Sequence, residues 1–329
     1  MPCPCVARRH LLGAAALQAL GLRGAFAADE GYPERPLRMI VGFPAGGSAD
    51  QSARRLADQL GRQLGKPVVV DNRPGASGNI AAAAAARSAP DGYTLFYGSN
   101  ATHAMNVSLY PRLDYDPVKD FAPIALDGKV YNVLCVHPDF RASDLQALLA
   151  LARRAPDSIA VATPGNATSG HLSLVLLQQA SGARFVHVPY KGSAPAATDV
   201  LGAQVPALFD NVAGTLAYIR AGRLRPLAVT ARQRLPLLPD VPSFEELGLR
   251  GCEIAAWGAL WAPAGTPSSI LQRLNVEMNR ALAAPAVADR MRELSVEPQG
   301  GSAQALAAFA SEETLRWRDV IRKAGIHLD

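Results

Sequence analysis

The chain has 329 residues, of which 49% are hydrophobic and 19% are charged, and its formal net charge at pH 7 is +5. This composition excludes a disordered chain, and the length favours two domains over one. Aromatic residues make up only 6% and the basic residues are scattered, so a nucleic-acid-binding groove is not expected.

The first 27 residues have the pattern of an export signal. Arg8 and Arg9 precede an apolar run that ends at Leu22, and Ala25–Ala27 matches a small-x-small cleavage site. We expect residues 1–27 to be removed on export to the periplasm, by the general secretory route or, given the arginine pair, by the twin-arginine route. Their removal deletes three arginines and no acid, so the formal charge falls from 33 − 28 = +5 to 30 − 28 = +2.

The cysteines and the later apolar runs bear on two further possibilities, a metal site and a membrane-spanning segment. Cys3 and Cys5 belong to the export signal, whereas Cys135 and Cys252 lie in separate apolar runs without a C-x-x-C spacing. Two buried thiols are therefore expected rather than a metal site, although an oxidising compartment would allow a disulfide. After residue 27 no apolar stretch reaches the length of a membrane span, which predicts a soluble mature chain.

A strand, a turn and a helix open the mature chain. The apolar run Leu37–Val41 predicts a buried strand, and Phe43–Ser48, which contains a proline and two glycines, predicts a tight turn. Ala49–Leu64 has apolar residues at helical spacing, with Ser48 as the N-cap and Asp50 as a first-turn carboxylate. The turn thus ends at a helix N-terminus, where unpaired N–H groups can receive a carboxylate or phosphate oxygen.

The alternation of strand and helix continues to residue 98. Val68–Asp71 and Thr94–Gly98 are predicted strands, and the alanine-rich segment Gly78–Ser88 between them is a predicted helix. This βαβαβ order predicts a parallel sheet covered by helices, and ligands of such sheets collect at the carboxyl ends of the strands. Three loops should lie at that edge: Phe43–Ser48, Asn72–Asn79 and Ser99–Asn106.

A turn-rich connection, residues 110–123, precedes a second unit that repeats this order. Its predicted strands are Val133–Val136, Ile159–Thr163, Phe185–Tyr190, Val205–Asp210, Pro226–Thr230 and Ile254–Trp261. Its predicted helices lie between these strands, and the helices Ser268–Ala283, Ala286–Leu294 and Ala303–Ala324 close the chain. The loop Pro164–Gly170 repeats the pattern of the opening turn.

The simplest architecture is α/β with two lobes, each a mainly parallel sheet flanked by helices, and a cleft between them. We expect lobe 1 to consist of residues 28–126 and 253–329, and lobe 2 of residues 127–252. Chain crossings near Ala122–Val130 and Cys252–Trp257 would join the lobes and allow them to close around a ligand.

No catalytic or cofactor motif is present. The chain lacks G-x-S-x-G, H-E-x-x-H, a Walker loop and G-x-G-x-x-G, so no catalytic residue, metal site or cofactor is expected. His103 and His171 fall in predicted cleft loops, where a lone histidine is more often a structural hydrogen-bonding residue than a catalyst, and His171 is included among the expected ligand contacts. Lys191 can pair with an anion or remain solvated, and Asp210 can bind a donor group or cap a helix. An enzyme that uses His171 and Asp210 as acid and base remains an alternative.

Many ordered segments together resemble the solute-binding receptors of tripartite tricarboxylate transporters, the Bug-type receptors. The resemblance extends from Tyr32 to Gly325. The segments that carry it include Arg35–Val41, Phe43–Gly47 with Asp50, Leu64–Ala76, Pro90–Leu95, His187–Gly192, Leu227–Thr230, Leu238–Pro242 and Ala262–Pro267.

The resemblance implies a periplasmic Venus-flytrap protein of the type II fold, a monomer without enzymatic activity. Such a receptor captures a small carboxylate in the cleft between its lobes and delivers it to membrane permease subunits. A ligand-sensing subunit for a membrane signalling partner has the same binding chemistry and is the alternative. The carboxylate itself stays open among an amino acid, a di- or tricarboxylate and an aromatic acid such as nicotinate.

In the family, backbone amides and ordered waters of the cleft loops hold the ligand carboxylate. The loop Pro164–Gly170 departs from the family by carrying more side chains, so ligand specificity is expected from lobe 2. Carried onto this chain, and joined with the predicted cleft loops, the expected ligand-binding residues are Phe43, Pro44, Ala45, Gly46, Gly47, Ser48, Ser99, Asn100, Thr163, Gly165, Asn166, Ser169, His171, Tyr190, Lys191, Gly192, Asp210 and Asn211.

Overall fold

The structure, a computed structural model, describes residues 31–326, so the predicted export signal lies outside the described residues. The strands are β1 (Leu37–Val41), β2 (Val68–Asn72), β3 (Thr94–Ser99), β4 (Phe121–Val136), β5 (Ala160–Thr163), β6 (Val186–Pro189), β7 (Ala207–Asn211), β8 (Arg225–Val229), β9 (Ala255–Pro263) and β10 (Val296–Gly300). The α-helices are α1 (Ser48–Leu64), α2 (Asn79–Ala86), α3 (Asn106–Leu109), α4 (Leu145–Arg154), α5 (Ser169–Ser181), α6 (Ser193–Leu201), α7 (Val212–Arg220), α8 (Ser268–Ala283), α9 (Pro285–Glu293) and α10 (Ala303–Ala324).

Helix α1 shows how the apolar pattern positions one element of the site. Its buried side chains include Leu56 and Leu60, four residues apart, so they share one face of the helix. That face packs on β1, β2 and α8. Burial of each leucine stabilises the fold by about 2 kcal/mol. The helix ends at Gly65, whose φ of 69° is the left-handed conformation that glycine adopts without strain.

The strands form one mixed sheet in the order β2-β1-β3-β9-β4-β7-β5-β6, with β8 and β10 also paired to β4. Strands β2, β1 and β3 are parallel to one another, and so are β7, β5 and β6. The long strands β4 and β9 are antiparallel to their neighbours. The predicted α/β class is therefore confirmed. The sheet is mixed because β9 and β4, which lie between the two parallel groups, are antiparallel to each other and to the group that each adjoins.

Strand β4 belongs to both groups. It pairs with β9 as far as Tyr131 opposite Ala255, and with β7 from Asn132 opposite Asn211. We call β2, β1, β3, β9, β10 and the start of β4 the first half-sheet, and the end of β4 with β7, β8, β5 and β6 the second half-sheet.

The structure differs from the sequence predictions at three places. Strand β4 begins at Phe121, twelve residues before the predicted start at Val133, because Asp, Gly and Lys interrupt its apolar pattern. Strand β10 was not predicted, since it contains Glu297, Pro298 and Gly300. The predicted loop Ser99–Asn106 is helical from Ala101 onward, because Ala101, Ala104 and Met105 are buried against the core.

Both cysteines of the described chain are buried thiols that form no disulfide, as the sequence analysis favoured. Burial raises the pKa of Cys252 to about 11 and raises that of Cys135 further. No helix within residues 31–326 is long and apolar enough to cross a membrane.

Candidate functional site

A cavity lies between the two half-sheets, with a volume of about 150 Å³. A single buried water needs only roughly 15 Å³, so the cavity is large enough to admit a small organic molecule. The loop after β1, the start of α1 and the end of β3 line it from the first half-sheet. The loop after β5, the loop after β6 and the end of β7 line it from the second.

The N-terminus of α1 opens into this cavity. Gly47 is the N-cap, with φ −75° and ψ 171°, and Ser48 is the first helical residue, so the predicted N-cap at Ser48 is wrong by one position. The cause is the fixed turn before the helix, which leaves the hydroxyl of Ser48 available to accept a hydrogen bond from Nδ2 of Asn211 at 3.2 Å. Among the described residues the N–H groups of Ser48 and Ala49 have no acceptor, so both can bind an anionic oxygen.

Asp50 holds this turn in place from the first turn of α1, where the sequence predicted a helix-start carboxylate. Its carboxylate accepts hydrogen bonds from the N–H of Gly46 (2.8 Å), Nε of Arg54 (2.9 Å) and Nδ2 of Asn72 (2.9 Å). Burial alone would raise the pKa of Asp50, but these donors outweigh it and hold the pKa below its usual value. The amides of the turn are therefore fixed before any ligand arrives.

The N-terminus of α5 meets the cavity from the other side. Thr168 is its N-cap, and the threonine hydroxyl accepts from the N–H of His171 and donates to the carbonyl of Gly165 at 2.7 Å. The hydroxyl of Ser169 lies 3.1 Å from Oδ1 of Asn132 and 3.3 Å from Oδ1 of Asn211. Neutral hydroxyl and amide groups thus fix this wall, in contrast to the carboxylate beside α1.

Two hydrogen bonds join the half-sheets across the cleft. Asn211 donates to the hydroxyl of Ser48, as described above, and the hydroxyl of Ser77 donates to the carbonyl of Asn166 at 2.7 Å. Direct contacts of this kind require the two walls to lie together. In the described conformation the two walls are therefore in contact beside the cavity.

Most of the predicted ligand-binding residues line the cavity. These are Phe43, Pro44, Ala45, Gly47, Ser48, Ser99, Asn100, Ser169, Lys191, Gly192 and Asn211. The others lie behind its walls or beside it. These are Gly46, Thr163, Gly165, Asn166, His171, Tyr190 and Asp210.

The residues behind the walls have structural partners instead. Thr163 is fully buried, with its hydroxyl 2.7 Å from Nε2 of His187. Tyr190 donates to Oδ2 of Asp199 at 2.6 Å. Asp210 is also fully buried, and its Oδ1 accepts from the N–H of Asn211 at 2.7 Å.

The histidines predicted as ligand contacts are packed in the core. His171 stacks on His187 with ring centroids 4.1 Å apart, and His103 stacks on Trp261 at 4.0 Å. Burial lowers the pKa of His171 to about 4 and that of His103 to about 3. Neither lines the cavity, so an acid–base pair of His171 and Asp210 has no access to a ligand there.

One group of cavity residues was missed by the sequence analysis. Asp127 and Tyr97 line the cavity, and Arg55 pairs with Asp127 through Nη2, at 3.1 and 3.0 Å from its two carboxylate oxygens. Tyr97 donates to Oδ2 of Asp127 at 2.7 Å. Burial raises the pKa of Asp127, and Arg55 and Tyr97 counteract part of that rise.

A β-bulge explains why Asp127 was missed. The pairing of β4 with β9 shifts register between Leu126 and Gly128, and such a bulge changes the direction of a side chain relative to the strand pattern. Gly258, opposite Gly128, is needed for the hydroxyl of Tyr97, because an added Cβ would lie 2.1 Å from that oxygen. An acid inside an apolar segment was the available signal in the sequence.

Comparison with known proteins agrees with the resemblance to the Bug-type receptors. A family model described as "Tripartite tricarboxylate transporter family receptor" matches residues 52–326. Protein BugT of Bordetella pertussis is 39% identical over 309 residues, which cover 94% of this chain and 94% of that protein.

Solved structures agree with this match. An R. palustris protein with adipate has a TM-score of 0.87 and 36% identity, covering 90% of this chain and 100% of that chain. MatC from Rhodopseudomonas palustris with bound malate has a TM-score of 0.83 and 33% identity, covering 88% and 100%. The matching family model thus describes a receptor, and these two solved relatives hold adipate and malate.

Proposed function

Because the chain belongs to the receptor family of tripartite tricarboxylate transporters, we propose that it is a periplasmic receptor that captures a small carboxylate between its half-sheets and delivers it to membrane permease subunits. The observation that carries the proposal is the meeting of two helix N-termini, those of α1 and α5, at one cavity. Unpaired N–H groups and the helix dipole at such ends favour an anionic oxygen.

Carboxylate is a better candidate than phosphate for this anion. The relatives with adipate and with malate hold small carboxylates, and the chain lacks the glycine fingerprint of a dinucleotide site. The cavity is many times larger than the space of one water, so it can hold a small carboxylate as a whole molecule.

The binding test is calorimetry with a panel of small carboxylates, each paired with its uncharged primary amide. We expect at least one acid to bind while its amide does not, because the amide lacks the charge that the helix ends stabilise. A ligand that binds the folded state raises the melting temperature by mass action, and a concentration one hundred times its Kd stabilises the fold by about 2.7 kcal/mol. Equal binding of acid and amide, or no binding by any acid, would contradict the proposal.

We propose further that residues 1–27 direct export and that the mature chain begins at Ala28. The basic pair, the apolar run and the small-x-small site support this assignment. Mass spectrometry of the protein from a periplasmic fraction should give an N-terminal peptide that starts at Ala28. Replacement of Arg8 and Arg9 by lysine tests the route, since the twin-arginine pathway requires that pair.

The lobe division proposed from the sequence, with residues 28–126 and 253–329 in lobe 1 and 127–252 in lobe 2, is compatible with the change of pairing partner in β4. Identifying the membrane protein that binds the ligand-loaded receptor would distinguish a transport role from a sensing role. Capture of permease subunits by the ligand-loaded protein favours transport, whereas capture of a membrane signalling protein favours the sensing alternative.

A further inference from the structure

A third helix N-terminus, that of α6, lies at the cavity in addition to those of α1 and α5. Gly192 is the N-cap of α6 and Ser193 is its first residue, and both line the cavity. The N–H groups of Ser193 and Ala194 have no acceptor within residues 31–326. The dipole of this helix therefore favours an anionic oxygen of the ligand here as well.

A buried carboxyl group lies directly behind this helix end. Asp210 at the end of β7 is 0% exposed, and its Oδ1 accepts from the N–H of Asn211 at 2.7 Å. Its Oδ2 has no hydrogen-bond partner in the described part of the chain, and a Cβ added to Gly214 of α7 would lie 3.4 Å from this oxygen and 3.9 Å from Oγ of Ser193. Because Ser193 and Asn211 line the cavity, the carboxyl group of Asp210 lies one side chain behind its wall.

The neighbouring elements bring no counter-ion to Asp210. Strand β4 places Val133 opposite it and Cys135 beside it, α6 places Ser193 there, and α7 places Gly214 there. Of these groups only the thiol titrates, and burial raises its pKa so that it stays neutral at physiological pH. No cation among the described residues pairs with Asp210, and burial raises the pKa of its carboxyl group to about 6.

The other ionisable groups around the cavity are in different situations. Asp50 and Asp127 each pair with an arginine of α1. His171 is neutral, because burial lowers its pKa to about 4, and Lys191 is exposed to solvent. Of these three carboxyl groups, that of Asp210 alone lacks a cationic partner.

A ligand carboxylate at the N-terminus of α6 brings a second negative charge close to Asp210. The buried wall between the two charges screens their repulsion less than water would. A like charge within about 6 Å raises the pKa of a carboxyl group, and each pKa unit is a tenfold difference in the linked affinity. A proton on Asp210 removes this repulsion.

We infer that the cavity binds its carboxylate together with a proton, which Asp210 takes up, so that the ligand is held more tightly in mild acid than in mild alkali. The inference rests on the proposed function and adds how that site responds to pH. Ligand binding raises the pKa of Asp210, so the affinity is greatest below the pKa of the free protein and falls as the pH rises through it.

The first test counts the protons directly. Calorimetry at pH 7 with the panel of small carboxylates, adipate, malate and benzoate among them, is repeated in PIPES and in imidazole, whose ionisation enthalpies differ. The difference in binding heat gives the protons taken up per ligand. We expect about 0.3 or more, together with a Kd at least about fivefold higher at pH 8 than at pH 6. Binding with a smaller uptake overturns the inference and leaves the proposed function intact, whereas no binding by any acid of the panel contradicts both.

The second test identifies the group that takes up the proton. Asp210→Asn imitates the protonated carboxyl group, so the uptake should fall below about 0.1 proton and binding at pH 8 should be at least about fivefold tighter than in the wild type. Asp199→Asn is the matched control, because this acid of α6 binds the hydroxyl of Tyr190 and does not line the cavity, and the uptake should stay at the wild-type value. Circular dichroism checks that each variant is folded, and the first test needs no variant. Loss of binding in Asp210→Asn, uptake that persists in it, or uptake that disappears in both variants contradicts the assignment.

Discussion

Two buried aspartates, Asp50 and Asp210, lie behind opposite walls of the cavity, and their carboxylates are in opposite situations. Asp50, beside α1, has three donors: an N–H of the turn, Arg54 and Asn72. These donors hold its pKa below the usual value in spite of burial. The carboxylate therefore stabilises the turn that carries the amides of the site.

Asp210, at the end of β7, has almost none of this support. Its Oδ2 has no hydrogen-bond partner among the described residues, and only the hydroxyl of Ser193 and the N–H of Asn211 lower the pKa of this carboxyl. Burial dominates and raises the pKa of Asp210 to about 6. The contrast teaches that burial alone does not decide what a carboxylate does to stability; the donors around it decide.

The largest effect is expected from Asp50→Asn. The amide cannot pair with Arg54 and turns one of its own donors toward the donors of Gly46 or Asn72, so we expect a loss of about 3 kcal/mol in the free energy of unfolding. Affinity for the best carboxylate of the panel should fall with it, because the amides of the turn lose their support. Urea denaturation and calorimetry measure the two effects.

Arg54→Gln is the matched control for this change. The guanidinium of Arg54 is half exposed and its charge is screened by solvent, so its removal should cost clearly less stability than Asp50→Asn. If both variants lose the same stability, the ion pair and not the turn geometry is what Asp50 supplies.

Asp210→Asn should raise the free energy of unfolding at high pH, whereas Asp50→Asn lowers it. A carboxyl whose pKa is raised from 3.8 to about 6 stabilises the fold below pH 3.8 and loses that contribution as the pH rises through 6, an effect of at most about 3 kcal/mol. We expect the variant to be about 2 kcal/mol more stable than the wild type at pH 8 and close to it at pH 4. Urea denaturation at both pH values decides; a variant that is less stable at pH 8 would contradict the account.

Local patterns predicted the elements better than they predicted these partners. The bounds of α8 and α10 agree with the predicted Ser268–Ala283 and Ala303–Ala324, because each has a clear start and an apolar face. The turn Phe43–Ser48 was placed correctly because a strand followed by proline and glycine has few alternatives. Two of the three donors to Asp50, Gly46 and Arg54, lie four residues from it in the chain, and only Asn72 is distant. The structural role of Asp50 was therefore also predictable from the sequence.

The pair of Arg55 and Asp127 shows where such reasoning ends. Arg55 and Asp127 are 72 residues apart in the chain, and the bulge that directs Asp127 depends on how β4 and β9 pair. The same limit applies to His171, which a loop pattern placed in the cleft and which stacking on His187 holds in the core. A partner supplied by a distant strand leaves no local signal.

At the N-terminus of α5 the neutral hydroxyl of Thr168 fixes the loop before the helix, as the carboxylate of Asp50 does at α1. Thr168→Ala removes the N-cap of α5 and should cost about 1 kcal/mol, a third of the effect of Asp50→Asn. Thr168→Ser keeps the hydroxyl and should recover most of that loss. The free energy of unfolding from urea denaturation, measured at pH 5 and pH 8, should show the same cost at both values because no charge is involved. A cost that changes with pH would contradict the account, because it would mean that a titrating group contributes to the hydrogen bonds of Thr168.

The smallest effect concerns the contact that joins the walls. Ser77→Ala removes the hydrogen bond to the carbonyl of Asn166, which joins the two walls, and also the acceptor of the Tyr110 hydroxyl, which lies 3.2 Å from Oγ of Ser77. A contribution of about 0.6 kcal/mol from the bond across the cleft corresponds to a roughly threefold faster release of ligand. Stopped-flow dissociation of a bound carboxylate measures it. Ser88→Ala is the control. The hydroxyl of Ser88 donates to the carbonyl of Ala84 in α2, away from the cleft, so its loss should leave ligand release unchanged. Equal rates in the two variants would show that closure depends on the ligand and on the bond between Asn211 and Ser48, and that Ser77 contributes nothing to it.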